Sequence, residues 1–142
     1  MVFQKKLLLK TTQNGDMCDI TAKVAQIVTE SGIDTGIVNV FNVGSTAAIG
    51  AIEFEPGLVH DLPATMNELI PAKEDYEHQQ RWNDGNGHSH LQSTLMGPDF
   101  SAPIAEGKLA LGTWQQICHL ECDVKPRVRE IIVTVYGHKS QE

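Results

Sequence analysis

A chain of 142 residues fits one compact domain, and 41% hydrophobic with 20% charged residues is the balance of an ordinary globular protein. The net charge of −7 argues against broad nucleic-acid binding, which rests on Lys and Arg neutralising phosphates. No apolar run approaches the ~18 residues a bilayer span needs, and the start of the chain lacks the long apolar region and small-residue cleavage site of a signal peptide. The expectation is one cytoplasmic domain over residues 1–142, with no membrane and no nucleic-acid partner.

In chain order, Phe3, Leu7 and Leu9 recur on a period of two and predict a strand over 2–10. After the turn Asn14-Gly15-Asp16, Ile20, Val24, Ile27 and Val28 recur at helical spacing, predicting an amphipathic helix over 17–31 that Ser31-Gly32 stops. Residues 35–43 are β-rich and read as a central strand. Residues 46–54 read as a second strand, with Gly50 as a bulge or close-approach site. Pro56-Gly57 opens a helix to about Ile70 with Leu58, Leu62, Met66 and Leu69 inward. Residues 71–87 form a long loop dense in turn formers, a length that in a small domain signals function or disorder. Strands follow near 90–96, 108–122 and 127–136, with Gly112 bending the second and Trp114 in the core. The order predicts an α+β fold: a mostly antiparallel sheet or sandwich with two helices.

The odd count of cysteines, Cys18, Cys118 and Cys122, with no secretory signal points to reduced thiols. Cys118 and Cys122 on a strand would share a face about 13 Å apart, too far to bind one metal, so both are read as packing residues. Lys125, Arg127 and Arg129 form a short basic stretch, read as a solvated turn before a strand.

Histidines are the main candidates for chemistry. His78, His88 and His90 fall within thirteen residues around a glycine-rich loop. At the start of a strand, His88 and His90 would share a face about 6.6 Å apart. They could converge on one divalent metal, zinc or magnesium, with His78 as third ligand, since a catalytic zinc keeps three protein ligands and one open position. The alternatives are acid/base use and plain surface histidines. Glu53 at a strand end and Asp61 beside His60 are candidate acids, against the plainer reading of solvated charges. Ser45 and Thr46, after Gly44, offer hydroxyls and backbone amides that can cradle a phosphate, though without the lysine of a P-loop, and the same stretch is also a tight turn. No organic cofactor is expected.

Taken together and in order, Tyr76-Glu-His78, Asp84-Gly-Asn-Gly-His-Ser-His-Leu91, Leu95-Met-Gly-Pro98, Gly107-Lys-Leu-Ala-Leu-Gly-Thr-Trp-Gln115, Leu120-Glu-Cys-Asp123 and Pro126-Arg-Val-Arg129 resemble the YjbQ-like family, also called secondary thiamine-phosphate synthase enzymes. The resemblance runs over nearly the whole chain. It implies a β-rich α+β fold, a homotrimer, and an active site near the histidines. It also implies a weak ability to join a pyrimidine diphosphate to a thiazole phosphate with release of pyrophosphate, in the character of a side activity. By the same resemblance His78 and His90 match the family's histidines, Asn86 its Gly-Asn loop, Glu53 and Asp61 its acidic positions, and Gln115 and Glu121 fall in matching strands. The family's His-Thr-Thr-Ala-Ala-like segment is here Gly44-Ser-Thr-Ala-Ala48, so a glycine stands where a third histidine is usual, and His88 stands where an acid is usual. His88 then substitutes for the missing imidazole, or the chain is a metal-free variant with altered activity.

Three functions follow from these readings. The first is a transferase-like enzyme on a small phosphorylated substrate, with His78, His90, Glu53 and Asp61 catalytic and Ser45, Thr46, Asn86 and Gln115 binding substrate. The others are a non-catalytic trimeric protein binding a metal or small anion, and a metal-dependent hydrolase of phosphate esters.

Overall fold

The computed structural model describes residues 1–73 and 75–140; Glu74, inside the segment read as a loop, lies outside them. Its elements are β1 (Val2–Lys10), β2 (Met17–Asp19), α1 (Thr21–Ser31), β3 (Thr35–Val43), β4 (Ala47–Ile52), α2 (Pro56–Leu69), α3 (Glu77–Trp82), α4 (Gly87–Met96), β5 (Asp99–Ala105), β6 (Lys108–Leu109), β7 (Gln116–Glu121) and β8 (Val128–His138). The strands make a five-stranded sheet in the order β1-β8-β3-β5-β6 and a three-stranded sheet in the order β2-β7-β4. Every pairing is antiparallel. The class is α+β, as the sequence predicts.

Period-two alternation builds the first sheet. Along β8, Ile131, Val133 and Val135 turn inward and are fully buried, as are Val38 and Val40 of β3. They meet Ile49 and Ile117 of the second sheet and Val24, Ile27 and Val28 of α1 in one core. Each such side chain contributes about 1.5–3 kcal/mol by leaving water. A smaller cluster of Ala48, Met66, Leu120 and Cys122, with Leu62 and Met96 against it, lies where α2 and α4 cover the second sheet. α1 ends as expected: Gly32 adopts the left-handed conformation at φ 68° and its N–H bonds Thr29 O at 3.2 Å.

Several local expectations need correction. The first residues of the helix read over 17–31 are instead β2, because Met17, Cys18 and Asp19 pair with β7. Leu69 of α2 is exposed, leaving Met66 as that helix's buried residue. Among the described residues there are four helices, not two: α3 lies within the segment read as a loop, and α4 replaces the strand read near 90–96. The inner face of α4 is polar. Gln92 donates to Met66 O at 3.3 Å, Ile70 O at 3.0 Å and Asn67 Oδ1 at 2.8 Å, while Ser93 donates to Ala47 O at 2.6 Å. Leu91 and Leu95 face outward at 46% and 61% exposure, so no apolar stripe marked the helix. The strand read over 108–122 is broken. Gly112 and Gln115 close a turn, with Gln115 N donating to Gly112 O at 3.1 Å, and Trp114 stands 73% exposed instead of in the core.

The chain crosses between the sheets at 44–46, between β3 and β4, and again at 122–127, between β7 and β8. The two crossings touch, Cys122 N donating to Thr46 O at 3.0 Å.

Candidate functional site

α3 and α4 bring His78 and His90 together, with ring centroids 4.5 Å apart and planes inclined by 53°. The glycine at the start of α4 permits the approach, since a Cβ on Gly87 would collide with the Gln79 side chain and stand 3.0 Å from Tyr76 Cβ. Asp84 Oδ1 lies 3.2 Å from His78 Nε2. The Asn86 amide is satisfied with its nitrogen facing the pair, where it donates to Asp84 Oδ1 at 2.8 Å and to His78 Nε2 at 3.0 Å. Burial pushes the His90 pKa down, the neighbouring His78 adds to the shift, and Asp84 and Asp123 oppose it. His90 is therefore a neutral imidazole near pH 7, able to accept a proton.

His88 does not join this pair. Two residues apart on a helix places side chains about 200° around the axis, and the shared strand face expected of His88 and His90 is absent. His88 is 1% exposed, its Nδ1 has no partner among the described residues, and burial pushes its pKa down against the opposing effect of Asp123. It lines a separate cleft of about 440 Å³ with Asn14, Asn67 and Lys73. Among the described residues, no three His, Cys, Asp or Glu side chains gather to hold a metal ion. His78 and His90 offer two nitrogens where a catalytic zinc takes three protein ligands. The three-histidine centre does not fit one chain.

The crossing at 44–46 lies beside α4. Ser93, one helical turn beyond His90, anchors Ala47, and Asp123 acts electrostatically on both His88 and His90. Ser45 is exposed. Thr46 is buried; its hydroxyl donates to Asp123 Oδ2 at 3.0 Å and accepts from Arg129 Nη2 at 2.8 Å. Glu53 and Asp61 are both exposed. Asp61 sits 2.9 Å from His60 Nδ1, and among the described residues no hydrogen bond or ion pair joins either acid to His78 or His90. Gln115 accepts from Gly112 N at 3.1 Å and lines a different cleft, of about 360 Å³, with Thr21 and Lys108.

Sequence reasoning missed the charged corner behind Thr46. Arg129 was read as part of a solvated turn, yet it is 7% exposed and donates to Glu121 through Nε at 2.7 Å and Nη2 at 2.5 Å. Arg127 donates to Asp123 Oδ2 through Nη2 at 2.7 Å. Thr11 Oγ1 and Asp123 N also donate to Glu121, at 2.6 and 3.0 Å, so both carboxylate oxygens are fully engaged. Burial alone would raise the Glu121 pKa; the bonds from Arg129, Thr11 and Asp123 N together hold it below the usual range. A spacing signal existed. Glu121 with Arg129 and Asp123 with Arg127 are symmetric about Lys125, the pairing a reversing chain would impose.

The family model for the UPF0047 protein YjbQ-like group matches residues 5–138. A UPF0047 protein of Methanothermobacter thermautotrophicus is 38% identical, over 96% of this chain and 93% of its own. The UPF0047 protein YugU of Bacillus subtilis is 33% identical, over 94% and 98%. Among solved structures, a YbjQ-like protein of unknown function from Sulfolobus solfataricus superposes with a TM-score of 0.87 at 35% identity, covering 97% of this chain and all of that one. An uncharacterised protein of the yjbq/upf0047 family from Clostridium acetobutylicum gives 0.84 at 35% identity, covering 93% and 99%. The histidine loop, the α4 helix and the crossings thus sit on a shared scaffold, and this chain belongs to the YjbQ-like UPF0047 family.

Proposed function

We propose that this chain is a transferase-like enzyme for a small phosphorylated substrate, with His78 and His90 at its centre. The observation that carries the reading is the pair itself: two imidazoles 4.5 Å apart, one backed by a carboxylate and an amide, the other half-buried without such support. Two rings this close resist double protonation, so the pair works as a unit. Asp84 stands 3.2 Å from His78 Nε2 and helps fix that ring. His90 stays neutral. One partner can then donate to a leaving phosphate oxygen while the other accepts or orients.

The family resemblance supplies the substrates: a pyrimidine diphosphate and a thiazole phosphate. The bond from the pyrimidine methylene carbon to the diphosphate oxygen breaks, and the diphosphate leaves with the electron pair. The thiazole nitrogen lone pair forms the new C–N bond. The chain has to position both reactants and stabilise the departing diphosphate. Asn86 supplies an amide beside the pair; Ser45 and Thr46 are assigned to phosphate from the sequence reading, and Glu53, Asp61 and Gln115 have no contact with the pair among the described residues.

We further propose a homotrimer that buries the outer face of the five-stranded sheet. On that face Ile37 pairs with Tyr136 and Phe41 with Ile132, and Ile37, Phe41, Val43 and Tyr136 are exposed in one chain. An apolar surface of this kind marks an interface. No helix is long and apolar enough to cross a membrane among the described residues. The three cysteines are free, which suits the cytoplasm.

The test is pyrophosphate release from the two substrates by the wild type and by His90→Ala, with circular dichroism checking the fold. Turnover lost in the variant supports the reading; equal turnover in both overturns the role of the pair.

A further inference from the structure

Gly44 leaves a space that two nitrogen donors line. A Cβ at this position would stand 3.0 Å from Arg129 Nη1 and 3.3 Å from Asn42 Nδ2. The backbone there, at φ 159°, is one that L side chains rarely adopt, so both conformation and space favour glycine. Glu121 holds the guanidinium through Nε and Nη2, and the planar fork leaves Nη1 at the far corner, toward Gly44. Among the described residues Nη1 has no hydrogen-bond partner. Asn42 is held just as firmly. Its Oδ1 lies 3.0 Å from His119 Nε2, and Nδ2 spends one hydrogen on Gly44 O at 3.2 Å, leaving the other. Gly44 and Ser45 are exposed, so the space opens to solvent. A corner built only for stability would engage every N–H of a side chain more than nine-tenths buried; this one leaves an arginine corner bare at an open mouth.

We infer that Arg129 Nη1, Asn42 Nδ2 and Ser45, arranged around the space above Gly44, form a cradle for a phosphoryl group. The inference deepens the proposed function and rests on it for the identity of the anion. The donors are preorganised: both buried side chains are fixed by partners before any ligand arrives, so little rotamer freedom remains to be lost on binding. Glu121 and Asp123 balance Arg129 and Arg127, so selectivity comes from aimed N–H groups instead of from net charge. Thr46, next to the cradle, bonds Asp123, whose charge also acts on His90.

Isothermal titration of inorganic pyrophosphate, with inorganic phosphate in parallel, into the wild type, Gly44→Val and His90→Ala tests the cradle. The expected result is binding by the wild type and at least a tenfold loss in Gly44→Val, larger than any loss in His90→Ala. Tighter binding of pyrophosphate than of phosphate identifies the diphosphate end of the substrate; the reverse identifies the monophosphate end. No binding by the wild type, or equal binding by Gly44→Val, overturns the inference. Loss confined to His90→Ala overturns it too, by moving the anion to the histidines. If Gly44→Val does not fold, the Arg129 Nε–Hε resonance of the wild type decides. A shift that saturates with pyrophosphate supports the cradle, and an unmoved resonance refutes it. Pyrophosphate binding without turnover would defeat the enzymatic reading and leave the cradle standing.

Discussion

Acid should destabilise this protein through His119. The ring is fully buried on β7, and its Nε2 lies 3.0 Å from Asn42 Oδ1, an acceptor, so Nε2 carries the hydrogen. Nδ1 is then a buried lone pair, and it has no partner among the described residues. A second proton would have to enter there, away from water. Burial, with Arg129 adding to it and Glu121 opposing, pushes the pKa down from 6.5 to about 4. A histidine depressed in the folded state takes up its proton more readily in the unfolded chain. Its contribution to stability is therefore complete above about pH 6.5 and is lost as the pH falls toward 4. Between pH 7.5 and 4.5 the loss from this one ring is about 2.5 kcal/mol. Urea unfolding of the wild type and His119→Gln at the two pH values measures it, and the double difference cancels the groups that the two proteins share. A wild type that loses about 2.5 kcal/mol more than the variant is expected. Equal losses would mean that Nδ1 finds a proton acceptor or water, and the assignment would fail.

Three further outcomes follow from the same geometry. Glu121→Ala leaves the Arg129 charge buried and unpaired, which costs about 3–5 kcal/mol and should appear as a large fall in melting temperature; a loss under about 1 kcal/mol would place the pair in solvent. Phe41→Glu puts a charge on the outer face of the five-stranded sheet and should convert a trimer to monomers in sedimentation, while unchanged assembly would locate the interface elsewhere. Burial pushes the thiols of Cys118 and Cys122 up to about 11 and about 12, so at pH 7.5 a thiol reagent should label Cys18 alone in the native protein and all three residues in urea. Rapid native labelling of Cys122 would contradict its packing against Met66 and Leu120.

Much of the fold was legible because burial and period agree. β1, β3 and β8 alternate plainly, and α1 with its N-cap carries Ile20, Val24, Ile27 and Val28 on one stripe, all buried. α4 escaped because its buried face is His88, Ser89, Gln92 and Ser93, held by hydrogen bonds to α2 and β4 instead of by apolar contact. Periodicity reports hydrophobicity and says nothing of such a helix. Misreading α4 as a strand then produced the metal geometry that the helix undoes. His78, His90 and Asn86 stood out in the sequence because they crowd one short stretch, and the structure brings them together. The charged corner was missed for the opposite reason: it joins Thr11, Thr46, Glu121, Asp123, Arg127 and Arg129 across 118 positions of chain, and only the mirror spacing about Lys125 hints at it. Trp114 is a further lesson, since a tryptophan flanked by strand-like residues sits on a turn in water.

The measurement that bears most directly on the central claim is pyrophosphate release by the purified protein from a pyrimidine diphosphate and a thiazole phosphate, compared with His78→Ala and His90→Ala. The paired-imidazole account expects release by the wild type and at least a hundredfold loss in each variant, with the double variant no worse than the singles, because the two rings act as one unit. Folded variants that turn over at the wild-type rate would contradict it.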